Sequence, residues 1–195
     1  MAFRAMPRST ASFPSGERCR AASKREFRPR GGSEAAKPRA WGEHASASAG
    51  RVGAIEMRIF EGACHCGAIA FRFHASRPPE HWRIRACQCS FCRRHGVRTT
   101  SDPAGRASFR FRVETAVARY RFGARTADFL VCRTCGVYLA AVLTSRDGQF
   151  ATLNVNTRCE PIAFASAVAV SYDQESAEER QRRRASRWTP VIELD

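Results

Sequence analysis

Apolar and polar positions alternate with period two at several places after residue 56. Ile69, Phe71 and Phe73 alternate with Ala70, Arg72 and His74. Trp82, Ile84 and Ala86 alternate with Arg83 and Arg85, and Phe109, Phe111 and Val113 with Arg110 and Arg112. This pattern puts the apolar set on one face and arginine on the other, as in antiparallel sheets with one wet face. Further strands are expected at 118–122, 127–131, 137–143, 150–155 and 162–170. Asp147-Gly148 supplies a hairpin turn between two of them. Only 174–187 reads as helical, with Glu175, Glu178 and Glu179 early and Arg182, Arg183 and Arg184 late, the order the helix dipole favours. The expected fold is all-β, packed antiparallel sheets with a short C-terminal helix.

Residues 1–56 show neither period. They are rich in Arg, Ala, Ser, Gly and Pro, and such a segment buries too little apolar surface to offset its ordering entropy. Disorder is expected there, and Cys19 within it carries no expected role. Strand patterning opens at Met57, which suggests Met57 as the natural start of the chain. The domain division is therefore 1–56 as a disordered segment and 57–195 as the β domain.

The chain has 195 residues, of which 44% are apolar, enough for a real core. No apolar h-region marks a secretory signal, and no run reaches the ~18 apolar residues of a spanning helix. A cytoplasmic protein is expected, with no membrane partner. In a reducing compartment, closely set cysteines point to metal or catalysis before disulfides. The formal charge is +15. It is spread over both regions: 11 basic against 5 acidic residues lie in 1–56, and 22 against 13 in 57–195. Only two of the 33 basic residues are lysine. An arginine- and alanine-heavy bias of this kind follows from GC-rich coding as readily as from selection for nucleic acid, so a solvated basic surface is the plainer reading.

Nine cysteines are present, and seven fall in three groups: Cys64-His65-Cys66-Gly67, Cys87-Gln88-Cys89-Ser90-Phe91-Cys92, and Cys132-Arg133-Thr134-Cys135-Gly136. Zinc takes about four soft ligands at ~2.3 Å. C-x-x-C and C-x-C turns each put two sulfurs on one ion, and a following glycine lets the backbone turn sharply. Cys87, Cys89 and Cys92 lie close enough in sequence to share an ion with little loop-closure cost. Cys64, Cys66, Cys132 and Cys135 then make a second, four-thiolate site. A four-cysteine site is closed and structural, whereas a three-ligand site leaves a position for substrate. A different partition, or a second structural zinc completed by His95 or His65, remains open on spacing alone. Cys159 reads as a packed thiol, and His74 and His81 as ordinary strand-edge residues.

The stretch from Gly62 to Phe71, the run Cys87 to Gly96, Tyr120-Arg121-Phe122-Gly123, the run Phe129 to Gly136, and Asn154-Val155-Asn156 with Arg158-Cys159 together resemble the glutathione-dependent formaldehyde-activating enzyme family, which includes centromere protein V. The resemblance covers roughly residues 57–170. It implies a β-tent fold stapled by zinc, with two zinc ions: a structural one on Cys64, Cys66, Cys132 and Cys135, and a catalytic one on Cys87, Cys89 and Cys92. It implies a carbon–sulfur lyase acting on small-molecule thiol and aldehyde substrates, such as glutathione plus formaldehyde.

At a three-thiolate zinc the open position would bind a substrate thiolate or polarise an aldehyde. The centre sits near −1, which calls for positive charge nearby, and Arg93 and Arg94 directly after Cys92 suit that role or pairing with substrate carboxylates. The rival class is a non-catalytic zinc module for nucleic acid or a protein partner, favoured by Arg83, Arg85, Arg110, Arg112 and the arginines of 180–187. Against nucleic acid, no aromatic stacking residues cluster with those arginines in the sequence pattern.

Overall fold

The structure, a computed structural model, describes residues 58–194. The expected disordered segment, Met57 and Cys19 lie outside the described residues. Eleven strands and two α-helices follow in chain order: β1 Arg58–Ala63, β2 Ile69–Ala75, β3 Arg85–Cys87, α1 Ser90–Arg94, β4 Thr99–Thr100, β5 Arg106–Phe111, β6 Val117–Tyr120, β7 Asp128–Cys132, β8 Tyr138–Ser145, β9 Gly148–Asn154, β10 Val168–Val170, α2 Ala177–Arg187 and β11 Thr189–Leu194. The all-β expectation with one C-terminal helix of ordinary length is met.

One continuous path runs β1-β2-β5-β11-β9-β4-β3-β10, and β6-β7-β8 joins it through β9. β8 pairs β9 along its length, from Ala140↔Leu153 to Ser145↔Gly148. The other edge of β9 is divided: β11 takes Phe150 and Ala151, and β4 takes Leu153 and Asn154. Most pairings are antiparallel, but β10 lies parallel to β3 and β11 parallel to β5. Both parallel pairs join segments far apart in sequence, which leaves the long connection that parallel pairing requires.

The core follows from the strand pattern. In β2, Ile69, Phe71 and Phe73 are buried, and Phe109 of β5 packs beside them in the same core. Burying side chains of this size stabilises by about 1.5–3 kcal/mol each relative to leaving them exposed. β8 differs. Its first six residues, Tyr138 to Leu143, are all buried, because the strand has apolar neighbours on both faces. Leu139, Ala140 and Val142 belong to the main core. Tyr138, Ala141 and Leu143 belong to a second core with Phe129, Trp188 and Cys92. β8 is therefore the wall between two apolar layers, and the second layer carries one of the cysteine groups.

Several expectations shift in detail. The alternation at 82–86 yields strand only at Arg85–Cys87, because Pro79–His81 forms a 3-10 turn just before it. The stretch 162–170 is strand only at Val168–Val170. The helix starts at Ala177, held by a capping box: Ser176 Oγ accepts from Glu179 N–H at 3.2 Å, and Ser176 N–H donates to Glu179 Oε2 at 2.8 Å. β11, beyond that helix, was not expected. Among the described residues, no helix is long and apolar enough to cross a membrane.

Candidate metal centres

Two hairpin turns build the first sulfur group. Cys64 and Cys66 sit between β1 and β2, and Cys132 and Cys135 sit where β7 turns into β8. Both turns close the same way. Cys64 N–H donates to the Ile69 carbonyl and Gly67 N–H to the Cys64 carbonyl, each at 2.9 Å; Cys132 N–H donates to the Val137 carbonyl at 2.9 Å and Gly136 N–H to the Cys132 carbonyl at 2.8 Å. Gly67 and Gly136 carry φ of 77° and 73°, the left-handed conformation that glycine adopts without steric cost. The shared geometry turns two sulfurs from each hairpin toward a common point.

The four Sγ atoms lie within 4.8 Å of one another. Cys64–Cys66 and Cys66–Cys132 are 3.5 and 3.6 Å apart. A tetrahedral zinc at about 2.3 Å from each sulfur would space them roughly 3.8 Å apart, close to these two separations and within the 4.8 Å span of the group. Cys64 and Cys132 are almost wholly buried. Burial pushes the Cys64 thiol up to about 12. Cys135 is brought down to about 7: burial raises it, but hydrogen bonds from the backbone of Cys66 and Val137 and from the sulfurs of Cys132 and Cys66 together outweigh that. A buried sulfur that resists ionisation beside one that favours it is a donor set suited to a soft cation.

The second group comes from one short run. Cys87 ends β3, Cys89 caps α1, and Cys92 lies within α1. Cys92 N–H donates to Cys89 Sγ at 3.4 Å, so the first turn of α1 fixes the Cys89 sulfur. Cys87 is anchored through the β3–β10 pairing, where it faces Val170. The three sulfurs lie within 4.8 Å of one another. Hydrogen bonds from Cys87 and then Cys92 hold Cys89 far below the ordinary thiol range, against its burial. Cys92 is driven up in return by Cys87 and Cys89, with burial adding to it. Three sulfurs this close form a donor set suited to a soft metal ion.

This group opens onto a cleft of about 790 Å³, counting its mouth. Phe129 and Tyr138 line its apolar side, and Arg85, Arg180, Arg183 and Arg184 line its polar side. Arg85 Nη2 donates to Ser101 Oγ at 2.7 Å and Thr152 Oγ1 at 2.9 Å. Arg184 is 8% exposed and its Nη1 donates to Thr126 Oγ1 at 2.6 Å. Burial, then the neighbouring Arg183 and Arg180, lower Arg184 to about 10. Burial, then the sulfur of Cys92, raise the Tyr138 phenol well above its usual value, so it keeps its proton at neutral pH.

The expected charge partners differ from those found. Arg93 and Arg94 are exposed on α1, and Arg94 Nη1 turns back to the Ser90 carbonyl at 3.0 Å. Neither lines the cleft. His65 and His95 are exposed and belong to neither sulfur group; the His95 ring lies 4.3 Å from that of Phe91. Arg85 and, from α2, Arg180, Arg183 and Arg184, read from sequence as a basic outer surface, instead face the cleft, while Arg182 and Arg187 stay exposed outside it. The signal was present: Arg180, Arg183, Arg184 and Trp188 recur at the spacing of one helix face.

A strand-rich fold that gathers seven cysteines into two groups, each able to hold a metal ion, defines a thiolate-site β protein. The model of the family described as glutathione-dependent formaldehyde-activating enzyme matches residues 59–173, and the chain belongs to that family. A crystal structure of a Rhodobacter sphaeroides protein is also similar, at 31% identity over 50% of this chain and 85% of that one, with a TM-score of 0.40. The arginine-bearing helix α2 lies beyond the matched residues.

Proposed function

We propose that the protein is a zinc-dependent enzyme of the carbon–sulfur lyase type acting on thiol–aldehyde adducts, with glutathione and formaldehyde as the family's pair. Support comes from one observation above all: Cys87, Cys89 and Cys92 open onto a cleft, whereas Cys64, Cys66, Cys132 and Cys135 tie two hairpins together. In this reading the four-cysteine group is structural and the three-cysteine group is the working centre. A zinc ion held by Cys87, Cys89 and Cys92 would supply Lewis acidity and favour the thiolate form of a bound thiol.

The reaction is redox-neutral. The thiol sulfur adds to the aldehyde carbon, one S–C bond forms, the C=O π bond opens, and the thiol proton ends on the former carbonyl oxygen. The reverse direction releases thiol and aldehyde. Tyr138 holds its proton at Oη and offers a donor for the oxygen on which negative charge develops. Phe129 and Trp188 exclude water from the inner cleft. The arginine wall offsets the negative charge of the thiolates.

Exchange between free formaldehyde and its glutathione adduct, followed by NMR, tests this. The wild type is expected to accelerate exchange over the uncatalysed rate, and Cys89→Ser to lose that acceleration together with one of two zinc ions. A Cys89→Ser protein holding a single zinc at full rate would remove the basis for the scheme.

A further inference from the structure

Arg184 has no carboxylate partner among the described residues. Its one hydrogen bond there goes to the Thr126 hydroxyl, and its Nε, itself shut off from solvent, has no partner. Across the same cleft, Arg85 is half-buried and is likewise held only by hydroxyls, those of Ser101 and Thr152. Arg183 differs, because its fork is already occupied by Glu175. Keeping a guanidinium inside a protein with no carboxylate bonded to it is costly, and hydroxyl dipoles, the Trp188 ring 4.9 Å from the Arg184 guanidinium and the more distant Glu175, already bonded to Arg183, recover only part of that. Two such groups facing one cleft describe a place made for an incoming anion.

The three-thiolate centre supplies some negative charge. Yet neither the Arg85 nor the Arg184 guanidinium hydrogen-bonds a cysteine sulfur; among the described residues both are bonded to hydroxyls. The planar arginine fork matches carboxylate geometry, and hydroxyl partners hold the fork in place without neutralising it.

We propose that Arg184 and Arg85 form a carboxylate-recognition subsite beside the three-cysteine centre, so that the thiol this protein takes is one bearing an acidic group. The inference rests on the thiol–aldehyde reading for its ligand. Arg184 belongs to α2, outside the residues matched by the family model, whereas Arg85 lies within them.

The test uses the full-length zinc-loaded protein and two probes with the same thiol and chain, one anionic and one neutral: 3-mercaptopropionate and its methyl ester. Dissociation constants come from calorimetry. The acid is expected to bind at least tenfold more tightly than the ester. Arg184→Gln is expected to bring the ratio near one at unchanged zinc content, and Arg184→Lys to retain part of it. Equal affinity for acid and ester in the wild type, including no binding of either, overturns the subsite, and this comparison does not depend on any variant folding. Formaldehyde exchange reports separately on the reaction: a kept acid preference without catalysis removes the enzymatic reading alone, and catalysis without acid preference removes the subsite alone.

Discussion

Arg183 grips the carboxylate of Glu175 with two bonds, Nε to Oε1 at 2.6 Å and Nη2 to Oε2 at 2.9 Å, and its guanidinium lies 3.6 Å from the centre of the Tyr172 ring. This clamp ties the segment entering α2 to the helix itself, and so sets one wall of the cleft. The hydrogen bonds from Arg183 hold the Glu175 carboxyl below its ordinary 4.5, against a smaller effect of burial. A carboxyl depressed in the native state stabilises fully above its unfolded value, and that contribution is lost as pH falls below about 4.5 toward the folded value. Thermal unfolding followed from pH 6 to pH 3 should show wild type losing its advantage over Glu175→Gln across that window. Parallel curves for the two proteins would count against the clamp.

The two sulfur groups should differ in what their loss costs. Cys132→Ser removes a buried sulfur from the group that joins two hairpins. Structural zinc sites contribute on the order of 10 kcal/mol of apparent stability, similar to the whole net stability of a domain. Expression is expected to fall and the remaining protein to melt far below wild type. Cys89→Ser should lower the melting temperature much less, with metal analysis showing one zinc retained.

Gly136 holds the second hairpin turn at φ 73°, with open space where a Cβ would lie. The cost of Gly136→Ala is therefore conformational alone, about 1 kcal/mol. Chemical denaturation should show a loss of that size, with zinc stoichiometry unchanged.

Tyr138→Phe removes one hydroxyl from the cleft and leaves the ring that packs 5.8 Å from Phe129 and 5.3 Å from Phe91. Turnover is expected to fall about 10²-fold, the usual scale for losing a donor to developing negative charge. Zinc content and melting temperature should stay near wild type. An unchanged exchange rate would place the donor elsewhere.

The strand pattern was readable where one face is wet. β2 and β5 show it clearly, since Arg72, His74 and Arg110 punctuate the buried phenylalanines. It failed around Ile84, where Pro78 and Pro79 impose a turn and the side chain is buried without a strand. β11 escaped because its strand role comes from partners in β5 and β9, not from a period of its own. Cysteine spacing pointed to the grouping the sulfurs adopt, since short loops bring ligands together almost regardless of fold. The arginine wall did not follow, because chain proximity to Cys92 favoured Arg93 and Arg94 while the fold brings in Arg184 from far along the chain. Tertiary contact between distant segments leaves little local trace; here the trace was the helical spacing of three arginines and a tryptophan.

The sulfurs of Cys66 and Cys132 are neighbours in space but 66 residues apart in the chain. A ribosome adding roughly 5–20 residues per second needs on the order of 3–13 s to cross that gap. During synthesis the sulfurs of Cys87, Cys89 and Cys92 can meet as soon as they emerge, before β10 pairs with β3 to anchor Cys87, while Cys64 and Cys66 wait for their mates. The slower centre thus passes through a newborn stage of exposed, unshared thiols, when an oxidant or a shortage of the metal they can hold would do most harm to the yield of folded chains.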